Sequence, residues 1–174
     1  MKFALETARL LLRPCTADDL AALRQLWTAP EVRRYLFDDR IISREQAEAM
    51  IQSSLASFPT HGFGLWIVHR TGEEAIVGFC GLFLTGDPPE VELLYGIAPS
   101  VWGQGLATEA ARAVLRYGLE ELRLVRITAG ADVPNVASLR ILAKLGMTFA
   151  RRTRTEHGEV LYFTLTREAF LNRE

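Results

Sequence analysis

Two glycines stand two residues apart in the segment 98–110, after a β-prone apolar stretch and before a helical pattern. Gly103 and Gly105 let backbone N–H groups approach a ligand closely, and the positive end of the following helix favours an anion. A pyrophosphate suits such a turn. The same glycines also suit a tight strand-to-helix connection that binds nothing, and the turn alone leaves both interpretations open.

Better-known motifs for nucleotide binding or hydrolysis are incomplete or missing. The sequence has no G-x-x-x-x-G-K-[ST] loop. A dinucleotide-binding G-x-G-x-x-G lacks its third glycine, because Thr108 occupies that position. No G-x-S-x-G nucleophile elbow is present. These patterns favour neither a nucleotide enzyme nor a hydrolase.

Composition and charge exclude several classes of partner. The 174 residues carry a formal net charge of −1, so no overall positive field attracts nucleic acid or an anionic membrane. Apolar runs are far shorter than the roughly 20 residues that span a bilayer, and no signal-peptide pattern is present. Cys15, Cys80 and the three histidines lack metal-binding spacing. We expect a cytoplasmic protein without a metal, folded as a single domain over residues 1–174.

The elements that must position the glycine turn alternate between the two hydrophobic periods. Capping residues and apolar spacing predict helices that begin near Thr16, Ser43, Gly105 and Asn135, the second ended by Pro59 and Gly62. Runs rich in β-branched and aromatic residues predict seven strands at 9–13, 64–70, 75–84, 90–97, 125–131, 148–155 and 159–166. A three-strand meander followed by strand-helix units indicates an α/β (α+β) fold, with a mixed sheet between about four helices.

Three segments taken together carry a family resemblance. Residues 91–99 read VELLYGIAP, residues 102–110 read WGQGLATEA, and residues 135–147 read NVASLRILAKLGM. In this order they resemble successive core motifs of the GCN5-related N-acetyltransferases, the GNAT superfamily. They are most similar to the branch containing the ribosomal-protein N-terminal (alanine) acetyltransferases. The opening RLLLRP at 9–14 and the closing hairpin also fit, so the resemblance spans nearly the whole chain.

This resemblance implies a centrally splayed sheet with acetyl-CoA in the opening. In that family the strand matching 92–97 pairs with the pantetheine, and the turn matching 102–107 wraps the pyrophosphate. Trp102 stands where the family more often has glutamine or arginine, a change that binding through backbone amides tolerates. The cofactor-binding positions carried over from the family are Ile97, Ala98, Trp102, Gly103, Gln104, Gly105, Leu106, Ala107, Thr108, Asn135 and Ser138.

The resemblance also assigns the chemistry. A lysine amine has a pKa of about 10.4 in water and must lose a proton to attack a thioester. Glu92 stands where the family often has a glutamate that acts as a base, directly or through water; the alternative is an ordinary strand carboxylate. Leu142 replaces the tyrosine that many members use to assist the departing thiol. Ser138 is the expected substitute, unless its hydroxyl only bonds back to its own helix.

The implied activity is acetyl-CoA-dependent transfer of an acetyl group to a primary amine, on a protein N-terminus or a small molecule. Dimers are common in the family, so a homodimer is an expected assembly. Because the usual tyrosine is missing, a non-catalytic sensor of acyl-CoA on the same fold is the alternative. The charged hairpin either selects the acceptor or only protects an edge strand; its residues are Arg151, Arg152, Arg154, Glu156 and Glu159.

Overall fold

The computed structural model describes residues 3–172. In this part of the chain, eight strands form one sheet in the order β1-β2-β3-β4-β5-β6-β8-β7. The strands are β1 (Leu5–Glu6), β2 (Leu10–Pro14), β3 (Leu65–Arg70), β4 (Ile76–Thr85), β5 (Glu90–Ile97), β6 (Arg126–Asp132), β7 (Thr148–Thr155) and β8 (Gly158–Thr166). Neighbours are antiparallel except for β5 and β6, which run parallel. The predicted mixed sheet is confirmed.

Helices cover both faces of this sheet. They are α1 (Leu20–Thr28), α2 (Pro30–Leu36), α3 (Arg44–His61), α4 (Leu106–Arg116), α5 (Val136–Lys144) and α6 (Arg167–Leu171). On one face, buried residues of α1 and α3 pack against β3 and β4. On the other, the buried side chains of α4, α5 and α6 join those of β5 and β6. Among the described residues, no helix has the length and apolarity needed to cross a membrane.

Four details differ from the sequence-based prediction. The sheet has eight strands rather than about seven, because the short β1 pairs with β2. Helices α2 and α6 raise the expected count of about four; α2 starts with Pro30 in its first turn, where the missing N–H is harmless. The prediction that Pro59 ends α3 is wrong, since the helix continues to His61 and Gly62 closes it at φ 80°. After Thr16, a 3-10 turn at 17–19 precedes α1.

That 3-10 turn contains a buried ion pair that ties β2 to α1. The Asp19 carboxylate accepts hydrogen bonds from Arg13 at 2.8 and 2.6 Å and from the Thr16 N–H at 2.7 Å. Burial alone would raise the pKa of Asp19, but the hydrogen bonds from Arg13 and Thr16 hold it below its ordinary value. Because Asp19 is 6% exposed, the carboxylate and its partners depend on one another.

Replacing this carboxylate should destabilise the fold in a pH-dependent way. We expect Asp19→Asn to lower the free energy of unfolding by about 3 kcal/mol at pH 7, because Arg13 loses its partner in a partly buried position. A lowered folded-state pKa gives stability that is present above the unfolded value of about 3.9 and is lost as the pH falls. Urea unfolding at pH 7 and at about pH 3 should therefore show a difference between variant and wild type that shrinks in acid.

The matched control is Glu48→Gln, which removes an exposed ion pair with Arg44. That pair joins positions four apart on one helix, and its loss should cost less than about 0.5 kcal/mol. Equal losses for the two variants, or a difference for Asp19→Asn that grows in acid, would contradict this account of the buried pair.

Candidate active site

The central pair of strands separates soon after it forms. Within the described residues, β5 and β6 pair in register at Glu92 and Thr128 and nowhere further along β5. The Thr128 hydroxyl donates to the Val91 carbonyl at 3.2 Å, next to that pairing. In the part of the chain that the structure describes, the edge of β5 that faces β6 has no strand partner from residue 93 to residue 97. The predicted opening in the sheet is confirmed, and its free backbone groups can pair with an extended ligand.

The turn after β5 presents backbone amides at the start of α4. Gly103 and Gly105 have φ angles of 75° and 77°, the left-handed region that glycine adopts without strain. A Cβ at Gly103 would meet nothing within 4 Å, so the space beside the turn is open. Gly105 is the N-cap of α4, and no side chain of the described chain caps that helix. The first amides of α4 can therefore donate to an anion.

Side chains brace this turn from two directions. The Trp102 indole N–H donates to the Ile97 carbonyl at 2.7 Å and so closes the turn against the end of β5. Arg9 donates to the Gln104 backbone carbonyl at 2.9 Å, and Arg70 donates to the side-chain oxygen of the same glutamine. Two guanidinium groups thus lie beside the turn, and they supply a local positive charge that the net charge of the chain conceals.

Glu109, one turn into α4, fixes one of these guanidinium groups. Its carboxylate accepts hydrogen bonds from the Thr7 hydroxyl at 2.6 Å and from the Arg9 backbone and side chain at 3.0 and 2.7 Å. Burial works against the ionised form, but the hydrogen bonds from Thr7 and Arg9 keep the pKa of Glu109 below its ordinary value. Arg9 is therefore held in place beside the turn.

A groove of about 900 Å³ runs from the turn along α4 and is bordered by residues 4–9. Its walls include Thr108 from the predicted set and the basic residues Arg112 and Lys144. Arg112 donates to the backbone carbonyl of Lys144 at 3.2 Å, which joins α4 to the end of α5. The size lies in the range of small-molecule and cofactor sites, and the basic residues suit a phosphorylated ligand.

Two hydroxyl groups meet across the opening, on the α4 and α5 side of the sheet. The Tyr95 and Ser138 hydroxyl oxygens are 2.7 Å apart. Asn135 caps α5 by accepting from the Ser138 N–H at 3.2 Å, which fixes the backbone of that serine. Burial raises the pKa of Tyr95 to about 12. Leu142 is fully buried in the core, so the position of the family's usual tyrosine supplies no donor.

Glu92 lies on the opposite face of the sheet from Tyr95, because side chains alternate along a strand. The Thr85 hydroxyl donates to its carboxylate at 2.9 Å. On β6, a Cβ at Gly130 would lie 3.1 Å from the Tyr162 ring and 3.4 Å from Glu92 Oε1. The missing side chain lets carboxylate and ring share one space. Burial and the charge of Glu92 raise the pKa of Tyr162.

The loop after α2 contacts the tip of the β7–β8 hairpin. His157 lies 3.1 Å from Glu156 and 3.8 Å from Asp38, and Arg40 contacts the same ring at 3.2 Å. Burial and the charge of Asp38 raise the pKa of Asp132 at the end of β6. Asp132 and Glu92 both raise the pKa of Tyr162, so both lie near that ring, and the Arg151 guanidinium lies over the same ring at 3.9 Å.

The structure places the sequence-predicted residues around the open part of β5, with one qualification. Ile97 and Leu106 are 6% and 3% exposed and contribute side chains to the core, so only their backbone faces the opening. Sequence reasoning missed Arg9 and Arg70 as neighbours of the turn, although the pairing of Leu10 with Arg70 in adjacent strands brings them together. The sequence motifs also gave Gly130 no role.

Comparison with known proteins gives a consistent answer. Residues 9–148 match the family described as "Acetyltransferase (GNAT) domain". An uncharacterized N-acetyltransferase of Bacillus subtilis, YoaA, is 35% identical over 143 residues, which cover 82% of this chain and 81% of that protein. The FsC-acetyl coenzyme A-N(2)-transacetylase of Aspergillus fumigatus is 31% identical, covering 98% of this chain and 79% of that protein.

A solved structure agrees in fold. RimL, described as a ribosomal L7/L12 alpha-N-protein acetyltransferase in complex with coenzyme A, superposes with a TM-score of 0.80 at 16% identity. The match covers 95% of this chain and 99% of that one.

Proposed function

The chain belongs to the GNAT acetyltransferase family, and from that premise we propose that Glu92 and Ser138 serve acetyl transfer from opposite sides of the open strand β5. The activity is that of an acetyl-CoA-dependent N-acetyltransferase. The observation that carries the proposal is the arrangement of the opening: a carboxylate on one face, a pair of hydroxyls on the other, and unpaired backbone between them.

Each part of acetyl-CoA has a binding region in this site, with the pyrophosphate at the glycine turn. Its pyrophosphate accepts hydrogen bonds from amides of residues 103–108, with Arg9 and Arg70 nearby. The 3′-phosphoadenosine fits the groove along α4, where Arg112 and Lys144 offer positive charge. The pantetheine pairs with the free edge of β5 and brings the thioester to the opening. This orientation leaves the thiol end between Glu92 and Ser138.

The reaction needs a proton removed and a leaving group stabilised. Glu92 accepts one proton from the incoming ammonium, directly or through one water, and the lone pair of the neutral amine then attacks the thioester carbonyl carbon. The second N–H proton leaves the tetrahedral adduct through water. As the C–S bond breaks, its electron pair goes to sulfur. The Ser138 hydroxyl donates a hydrogen bond to the departing thiolate, which takes its proton from water because a thiol ionises near 8.5. Leu142 takes no part.

The acceptor is a primary amine that arrives protonated, on a peptide N-terminus or a small molecule. Asp132 and Glu92 both lie near the Tyr162 ring, and local negative charge attracts an ammonium group. The second candidate, a sensor that binds acyl-CoA without turnover, is favoured by one observation: Leu142 stands where the family commonly has its tyrosine donor.

One experiment separates these two functions. Release of free thiol from acetyl-CoA is followed against a panel of polyamines, aminoglycosides, amino acids and N-terminal peptides, while acetyl-CoA binding is measured by calorimetry on the same sample. Turnover with one class of amine supports the enzyme and identifies its acceptor. Binding without turnover for any class supports the sensor. Absence of binding would overturn both.

A further inference from the structure

Either hydroxyl of the Tyr95–Ser138 pair could donate to the other, but the surroundings favour Tyr95 as the donor. In the described residues, the Tyr95 hydroxyl has two acceptors within reach, the Ser138 hydroxyl oxygen at 2.7 Å and the Ser138 carbonyl at 3.5 Å. The shorter distance is that of a good O–H···O bond, and the longer one is weak. A buried phenol needs an acceptor for its proton, and the Ser138 oxygen is the better one.

This arrangement determines where the serine proton points. When Tyr95 donates to Ser138, the serine cannot donate back along the same line, so its own O–H turns elsewhere. The Ser138 N–H is already used by Asn135, which holds the serine at the first turn of α5. The hydroxyl can therefore aim into the opening beside the unpaired part of β5, where the thioester sulfur would lie.

We propose that Tyr95 is a positioning residue that directs the Ser138 hydroxyl toward the departing sulfur. The inference rests on the proposed function of the opening and extends it to a second strand residue. Tyr95 keeps its proton throughout the reaction, since burial raises its pKa to about 12, well above that of a thiol. Its hydrogen bond also polarises the serine, which makes the Ser138 O–H a stronger donor.

The first test compares Tyr95→Phe, Ser138→Ala and the double variant. Loss of a neutral hydrogen bond should lower kcat about 2- to 10-fold for Tyr95→Phe. Loss of the donor to a developing thiolate should lower it about 30-fold for Ser138→Ala. Because the tyrosine acts through the serine, the double variant should match Ser138→Ala within about 2-fold, and acetyl-CoA affinity should hold in all three.

Ser54→Ala is the matched control. Ser54 is another buried hydroxyl, on α3 and outside the groove, and it accepts a hydrogen bond from the Leu65 N–H at 2.7 Å. Its replacement should lower stability and leave kcat unchanged. A wild-type kcat for Tyr95→Phe, or an additive loss in the double variant, would overturn the proposed role, because Tyr95 would then act independently of Ser138.

A second readout needs no acceptor amine. Free coenzyme A is bound to each protein and its thiolate is titrated by ultraviolet absorbance. The wild type should lower the pKa of the bound thiol, Ser138→Ala should remove that shift, and Tyr95→Phe should remove part of it. An equal thiol pKa in wild type and Tyr95→Phe refutes the inference even where no amine turns over. A wild-type shift that the variants abolish supports it even if the acetyl transfer fails.

Discussion

Replacing Gly103 by glutamate is expected to weaken acetyl-CoA binding about 100-fold. The added carboxylate would stand beside the pyrophosphate in the proposed site, and two such charges near 4 Å repel by about 1 to 4 kcal/mol, where 1.4 kcal/mol is tenfold in Kd. The left-handed φ of 75° adds strain for any residue with a Cβ. Calorimetric titration with acetyl-CoA measures the effect directly. Gly103 is preferable to Gly105, where a new carboxylate would approach Arg9.

Gly86→Glu is the matched control, because it adds the same charge and similar backbone strain at a position away from the proposed pyrophosphate site. Gly86 has a φ of 78°, and a Cβ there would meet its nearest neighbour, a backbone oxygen, at 3.5 Å. It lies in the turn between β4 and β5, at the opposite end of β5 from Ile97. Charge and strain are thus nearly matched, and affinity should stay within about 2-fold of wild type if the turn at 103–105 holds the pyrophosphate. Equal weakening by both variants would remove the turn as the binding site.

Local features of the site were predictable because local physics determines them. A glycine that precedes a helical pattern signals a left-handed residue at a helix start, and Gly105 takes that conformation as the N-cap of α4. The alternation of β5 and the cap at Asn135 follow from neighbours in sequence. Helix α2 escaped prediction because it has only seven residues, none of them fully buried, and its contact with the core rests on the partly buried Val32 and Leu36.

The rest of the site depends on sheet order, which local patterns do not contain. Tyr95 and Ser138 are 43 residues apart, and Arg70 and Gln104 are 34 apart. Each pair meets only because of how strands and helices are arranged. The same holds for Gly130, whose importance comes from the side chains that would surround a Cβ and not from any motif around it.

Replacing Glu92 by glutamine should have the largest effect on catalysis. Removal of a general base typically lowers the rate about 10²- to 10⁴-fold, so we expect a fall in kcat of at least about 10²-fold with the best amine. Acetyl-CoA affinity should hold, because the carboxylate faces the acceptor side and glutamine keeps its size and its contact with the Thr85 hydroxyl. Thiol release at saturating acetyl-CoA measures kcat, and calorimetry measures affinity.

Glu90→Gln provides a matched control two residues earlier on the same face of β5. Glu90 forms ion pairs with Arg126 and Arg151 at 2.5 and 3.5 Å, so its replacement removes a nearby negative charge without touching the proposed base. The kcat of Glu90→Gln should stay within about 3-fold of wild type.

A second test uses hydroxylamine, which is largely unprotonated at neutral pH. The fall in rate caused by Glu92→Gln should be smaller with hydroxylamine than with a strongly basic amine. A full rate in Glu92→Gln would show that the amine loses its proton elsewhere. An equal loss of rate in Glu90→Gln would show that this face supplies only general electrostatic attraction.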